Sequence, residues 1–365
     1  MTYRFPFSPF PTGWYVVASL SELAPGALTA RRFMGQEVVV YRTRAGVVCL
    51  ADAFCPHLGA HLGHGGTVEG ETLRCPFHDF RFDTGGVCVS TPYGHAPPGA
   101  ARLRQWTVRE KNGYVLAWFD AAGGPPTFEV PDIPVSDAWS APWSEVRVIR
   151  SHPQETTENS VDVGHFSAVH KYTGFETRTE MVTAGPYLHA RYSMLRDAGF
   201  SGRAGQRLRV EYDVHVHGLG WSFVEARVPE LGLESRYFVL PTPLDGEHVE
   251  MRIATTVRSP EEPGRISPFL RLLPVAWVRA IIGELTWRAF RGDVSQDLEI
   301  WENKRYIHPP ALAKGDGPVG RYRQWARQFY PENAHAEAPR VEAAQAAPSP
   351  IEVAPAAGAV VAPAL

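Results

Sequence analysis

Apolar and polar positions alternate over short runs in the first third of the chain. The runs at 14–19, 37–43, 46–52, 105–110 and 114–119 are rich in β-branched and aromatic residues and bounded by Gly, Asn or Asp. That pattern predicts half-buried strands joined by turns, and hence an all-β domain over residues 1–122. Gly123-Gly124-Pro125-Pro126 breaks the alternation and Pro131 and Pro134 follow, so 123–144 reads as a linker. A second domain, 145–335, opens with a strand at 145–150 and continues with alternating runs at 208–217, 221–228, 234–240 and 248–257. These predict an antiparallel sheet. Helical patterns at 269–290, 293–306 and 320–330 would cover it, which makes this domain α+β. Residues 336–365 are Ala-, Pro- and Val-rich without aromatics, and predict a disordered tail.

Composition narrows the picture modestly. A chain of 365 residues suits two domains, and a net charge of -3 gives no reason to expect nucleic acid as a partner. Four cysteines are too few for a disulfide framework, which fits a reducing, cytoplasmic setting. The start, Met1-Thr2-Tyr3-Arg4-Phe5, shows no signal peptide. The most apolar segment, 269–290, is interrupted by Arg271, Pro274, Arg279, Glu284 and Arg288, so it predicts a buried or amphipathic helix rather than a membrane span. A surface in peripheral contact with a membrane is the alternative.

Two short motifs carry the chemistry. Cys55-Pro56-His57 and Cys75-Pro76-Phe77-His78 each offer one thiolate and one imidazole, with seventeen residues between them. A Rieske [2Fe–2S] centre needs this inventory: two thiolates hold one iron and two imidazoles the other. A tetrahedral zinc shell could use the same four residues, but zinc sites usually pair Cys with Cys and His with His along the chain. Glycines 59, 63, 65, 66, 85 and 86 shape both loops and leave backbone N–H groups free for cluster sulfurs.

The second motif is Asn159-x-x-Asp162-x-x-His165-x-x-x-x-His170. Two His and one carboxylate on one face of Fe(II) leave positions open for O₂. Five residues on an ideal helix turn through about 140°, so one regular helix would not aim both rings at one point. The chain must loosen there, and Gly164 eases this. Asn159, Asp162 and His165 are spaced to share one helical face; a solvated polar face with unrelated histidines is the plainer alternative.

The stretch from Cys55 to Gly86 resembles the Rieske domain of the ring-hydroxylating oxygenases, and the two motifs in this order resemble the α subunit of that family. The usual Gly-Trp after the last cluster ligand is Asp79-Phe80 here. The resemblance implies an N-terminal all-β Rieske domain followed by an α+β catalytic domain with a helix-covered antiparallel sheet. It implies a Rieske cluster on Cys55, His57, Cys75 and His78, and a mononuclear Fe(II) on His165, His170 and Asp297. Asp293 is the rival carboxylate, and pairing of Asp297 with Lys304 the plainer fate of that side chain. Asp162 would link the two redox centres, bonded to His165 and to a Rieske histidine of a neighbouring subunit in a trimer, and Asn159 would sit near the iron. No nucleotide-binding glycine fingerprint occurs, so a separate NAD(P)H-dependent reductase or ferredoxin would supply the electrons that activate O₂. The look of Gly13-Trp14-Tyr15 and of 297–304 points to the branch holding cholesterol 7-desaturases and 3-ketosteroid 9α-hydroxylase oxygenase components. That branch implies a sterol-sized substrate that is desaturated at 7,8 or hydroxylated on a ring. The alternatives are a monooxygenase or O-demethylase of aromatic compounds, and an electron carrier without catalysis.

Overall fold

The computed structural model describes residues 4–197 and 207–331; the expected tail at 336–365 lies outside them. The N-terminal part is all β. Its strands are β1 (Gly13–Ser19), β2 (Leu28–Phe33), β3 (Gln36–Arg42), β4 (Val48–Asp52), β5 (Thr67–Glu69), β6 (Thr72–Arg74), β7 (Arg81–Phe82), β8 (Cys88–Ser90), β9 (Val108–Lys111) and β10 (Tyr114–Phe119). They form three small antiparallel sheets, ordered β1-β10-β9, β2-β3-β4 and β5-β6-β7-β8. The first two enclose a core of Tyr15, Phe33, Val38, Val40, Leu50 and Val115. The third holds the loops that carry the two Cys/His pairs. Its strands are two or three residues long, too short for alternation to reveal, which is why the sequence pattern passes over them.

The second part is built on one seven-stranded antiparallel sheet. Its strands are β11 (Trp143–Ile149), β12 (Thr173–Ala184), β13 (Tyr187–Asp197), β14 (Arg207–His217), β15 (Trp221–Val228), β16 (Leu233–Pro243) and β17 (Val249–Val257), in spatial order β11-β17-β16-β15-β14-β13-β12. Alternation identifies five of these. The first, β12, is mostly exposed along its length and carries little apolar signal. Two short helices, α1 (Pro153–Glu158) and α2 (Gly164–Ala168), precede β12; α3 (Val275–Asn303) and α4 (Val319–Ala326) close the chain.

The two helices expected at 269–290 and 293–306 are one. A 3-10 turn at Pro268–Leu272 leads to Pro274, and α3 runs unbroken from Val275 to Asn303. Proline is tolerated only at a helix start, so Pro274 places the start, and Gly292 is absorbed within the helix. Only part of this segment is buried, as an amphipathic helix requires. Val278, Ile282 and Gly283 are buried, but Leu272 and Trp277 are 80% and 66% exposed, with Phe269 and Val275 exposed beside them. Gly283 is required by packing: a Cβ there would lie 1.9 Å from the Trp143 ring of β11. No helix of the described residues is long and apolar enough to cross a membrane.

The outer face of the large sheet meets the N-terminal part through Trp14, Trp118, Tyr114, Trp221, Phe238 and Leu240, joined by Val130 and Ile133 of the connecting segment. That segment is therefore packed in place as well as connecting. Thr242 Oγ1 donates to the Val16 carbonyl at 2.7 Å, and the buried Arg252 guanidinium reaches Glu22 at 2.6 Å. These contacts hold the two halves together within the chain.

Candidate metal centres

The cluster loops lie between β4 and β5 and between β6 and β7. Cys55 and Cys75 are buried free thiols, and the rings of His57 and His78 lie 4.7 Å apart, centroid to centroid. Burial, only partly offset by the His57 backbone N–H and reinforced by the adjacent Cys75 thiol, pushes the Cys55 thiol up to about 11. Two thiols crowded together in an apolar setting are poor anions alone and good ligands for a cation. The Nδ1 atom of His78 is buried without a hydrogen-bond partner, although buried polar atoms are nearly always bonded. The four side chains thus fit the two-thiolate, two-imidazole set of a Rieske cluster.

The Asp79-Phe80 departure has a visible consequence. Asp79 sits at φ 55°, in the left-handed region that glycine enters freely. Its carboxylate accepts two bonds from Arg74, at 2.6 and 2.9 Å, which hold the turn. Phe80 is buried and stacks on His57, with centroids 4.3 Å apart and planes within 8°. The smaller ring therefore takes up the packing against a cluster histidine. Around the histidines, Phe54, Leu58, Phe77 and Tyr93 form an exposed apolar collar.

The second site is assembled from distant segments. The expected loosening occurs: α1 ends at Glu158, a turn carries Asn159 to Val163, and α2 begins at Gly164. Asn159, Asp162 and His165 therefore do not share one helical face; they occupy a helix end, a turn and a second helix. His165 lies in α2 and His170 just past its end, before Lys171 at φ 61°. Gly317 pins the turn from behind, since a Cβ there would meet the Val161 carbonyl at 2.2 Å. From α3, Asp297 reaches the same point: His170 Nε2 lies 3.5 Å from Asp297 Oδ2. His165, His170 and Asp297 each offer a ligand atom, all within 4.8 Å of one another.

The electrostatics suit a cation. Burial lowers the pKa of His165, with Asp297 and Asp162 opposing in part. Burial also pulls His170 down, but the Asp297 carboxylate outweighs it and leaves His170 above its ordinary value. The His170 side chain is 4% exposed and its Nδ1 has no hydrogen-bond partner. A buried carboxylate facing two imidazoles is the donor set of a mononuclear Fe(II) centre.

The alternatives for Asp297 are accounted for by neighbours. Lys304 is engaged by Glu155 at 2.8 Å and Glu158 at 3.7 Å. The rival Asp293 accepts from Tyr172 Oη at 2.7 Å and pairs with Arg196 at 3.1 Å. The buried face of α3 here is Val294, Asp297, Leu298 and Trp301, while Ile300 is exposed. Trp301 Nε1 donates to Asn159 Oδ1 at 3.4 Å. The link expected from the Asp162 carboxylate to the His165 ring is made differently. The Asp162 backbone carbonyl takes His165 Nδ1, while its carboxylate accepts only the His165 backbone N–H, at 3.4 Å. The turn before α2 points that carbonyl at the ring and leaves the carboxylate half-exposed.

Above the His/Asp group lies a partly enclosed pocket that opens to solvent. Phe166, Val214, Val224, Val239, Phe290 and Val294 give it apolar walls. Tyr172, Tyr212, Tyr237, Arg196 and Asp293 make one polar end. Of these polar residues, sequence reasoning named only Asp293, as the rival iron ligand. They sit on β13, β14, β16, α3 and the segment before β12, and no local spacing connects them.

Comparison with known proteins covers both halves of the chain. Residues 13–107 match the family model of the Rieske [2Fe-2S] domain, and residues 117–330 that of the 3-ketosteroid 9alpha-hydroxylase C-terminal domain. The chain belongs to the Rieske oxygenase family. It is 30% identical to a cholesterol 7-desaturase of Bombyx mori, over 89% of this chain and 70% of the relative. It is 29% identical to the oxygenase component of a 3-ketosteroid-9-alpha-monooxygenase of Rhodococcus rhodochrous, over 88% and 81%. Among solved structures, dicamba monooxygenase bound to dicamba shares the fold with a TM-score of 0.61 and 19% identity, over 87% of this chain and 96% of that one. Pseudomonas putida NdmA with caffeine shares it with a TM-score of 0.64 and 17% identity, over 86% and 89%. This Rieske oxygenase is an O₂-dependent oxidoreductase with a [2Fe–2S] domain and a His/Asp group that could hold mononuclear iron. As an oxygenase component it takes its electrons from a separate reductase or ferredoxin.

Proposed function

We propose that this Rieske oxygenase oxidises a sterol or steroid, by 7,8-desaturation of a cholesterol-like sterol or by ring hydroxylation. The observation that carries this reading is the pocket over the His165–His170–Asp297 group: walls of Val and Phe with one polar network, Tyr172, Asp293 and Arg196, among them. Arg196 is its one cation among the described lining residues, and Asp293 neutralises it. An aromatic acid would bring a carboxylate with no free cation to receive it, whereas a neutral sterol needs only a donor or acceptor for one hydroxyl or carbonyl. The resemblance to sterol- and steroid-oxidising relatives supports the same class.

Within this reading His165, His170 and Asp297 hold the iron, and Cys55, His57, Cys75 and His78 the cluster. When bound, the two centres supply electrons to O₂ beside the substrate. The chain's own residues do the rest. The valines and phenylalanines exclude water and hold the ring system. The Tyr172–Asp293–Arg196 network fixes its polar end, and Asn159 is tied to Trp301 beside the iron ligands. The half-exposed position of Asp162 next to His165 supports its bridging to a cluster histidine of a neighbouring subunit. The apolar collar around His57 and His78 supports such an assembly, a homotrimer in which electrons cross between subunits. Light scattering that gave a monomer would remove that arrangement. The exposed Phe269, Leu272, Val275 and Trp277, flanked by Arg271, support a cytoplasmic enzyme in peripheral contact with a membrane; failure to sediment with anionic vesicles would count against it.

The test is turnover. Purified enzyme with a ferredoxin reductase, NADH and O₂ should consume O₂ with cholesterol or a 3-ketosteroid and give a desaturated or hydroxylated product. Consumption only with methoxylated aromatic acids, with formaldehyde released, would replace this reading by O-demethylation.

A further inference from the structure

The outer face of the large sheet carries a third cluster of metal-ligating side chains, apart from both centres. We propose that His189, Asp213 and His215 form a binding site for a divalent cation of the zinc class. His189 on β13 and His215 on β14 are direct cross-strand partners, so their side chains stand side by side on one face. Asp213 lies two residues before His215, which returns it to that face. Its Oδ1 atom is 2.5 Å from His189 Nε2 and 3.4 Å from His215 Nε2. The three ligand atoms lie within 4.8 Å of one another. Two imidazoles and a carboxylate, with a fourth position open, are a ligand set zinc accepts.

The surroundings orient these ligands. Tyr187 Oη is 2.8 Å from His215 Nδ1; with Nδ1–H donating to the phenol oxygen, the Nε2 lone pair is left for a metal. Arg191 Nε holds the other oxygen of Asp213, at 3.4 Å. Outer partners of this kind set the tautomer and direction of metal ligands. A polar cleft lined by Arg191, Asp213, Glu225 and Arg227 opens beside the cluster and gives an ion a way in. Tyr212 and Val214 alternate with Asp213 and face the catalytic pocket, so the sheet itself separates this site from the iron ligands. The Arg191 charge opposes a cation and sets the affinity below that of an unopposed site.

The probe is zinc alone, offered to the iron-loaded holoenzyme under anaerobic equilibrium dialysis, with metals counted by atomic emission. The expected result is about one zinc per chain with the iron content unchanged, and a melting temperature that rises with zinc, as for any ligand of the native state. Both effects should vanish in His189→Ala and in His215→Ala, and Arg191→Gln should bind zinc several-fold more tightly. If the alanine variants do not fold, Asp213→Asn serves, because it keeps the shape of the side chain. Zinc uptake matched by loss of iron, or equal uptake in wild type and variants, would overturn the site.

Discussion

The two redox sites are built in opposite ways. The cluster ligands come from two neighbouring loops of a small sheet, within 24 positions from Cys55 to His78, and an exposed apolar collar surrounds them. The proposed iron ligands come from α2, from His170 two residues past its end and from the last third of α3, and they line a pocket under the sheet. A centre that must hand an electron to another protein surface needs exposure and short loops. A centre that must keep water from reacting groups needs a pocket, and a pocket needs distant segments. Their failure modes should differ accordingly.

The largest effects should separate the sites cleanly. Asp297→Ala should abolish the mononuclear iron and lower turnover by more than about 100-fold, beyond the loss usual for an outer partner. The Rieske absorption and EPR signal should remain. Cys75→Ser should do the reverse, removing the cluster while the His/Asp group still binds ferrous iron and nitric oxide. Loss of both signals in either variant would show that the sites fold as one unit.

A smaller effect probes the support beneath the pocket. Lys304→Met leaves the buried Glu155 and Glu158 without that cation. Breaking a buried pair costs about 3–5 kcal/mol; Arg323 still holds Glu158 at 2.6 Å, so about 2–3 kcal/mol is expected by denaturant unfolding of the catalytic part. The fold also has a built-in pH dependence. His152 caps α1, accepting from Gln154 N–H through Nδ1, and burial pushes its pKa down to about 3. Its unfolded value is near 6.5, so between those values the unfolded chain binds the extra proton. Its contribution is present above about pH 6.5 and is lost as pH falls toward 3. At pH 5 the loss is about 2 kcal/mol. Urea melts at pH 7.5 and 5.0 should show it, and His152→Asn should flatten it. The smallest effect lies in the cluster loops: Asp79→Gly relieves the left-handed backbone while losing the Arg74 bonds, and should change stability by less than about 1 kcal/mol.

What the sequence made legible follows the same division. The Cys/His pairs are local and can be read directly, and so can strands long enough to alternate. The break at Gly164 could be argued from the angle between two residues on a helix. Long-range choices could not. That Asp293 would be taken by Tyr172 and Arg196, and Lys304 by Glu155, depends on segments 97 to 149 residues apart. The His165 ring bonds to a backbone carbonyl because of how one turn is oriented, and spacing carries no such information. The separate helical patterns at 269–290 and 293–306 do not reveal that α3 is one helix, continuous through Gly292 and packed on β17 and β11.

The most direct measurement is iron, sulfide and zinc analysis of anaerobically purified protein, with EPR of the reduced form before and after adding nitric oxide. Two separate sites predict about three irons and two sulfides per chain, a Rieske signal, and a ferrous–nitrosyl signal that cholesterol perturbs. Two irons with no nitrosyl signal would leave only an electron carrier, and zinc without sulfide would contradict both centres.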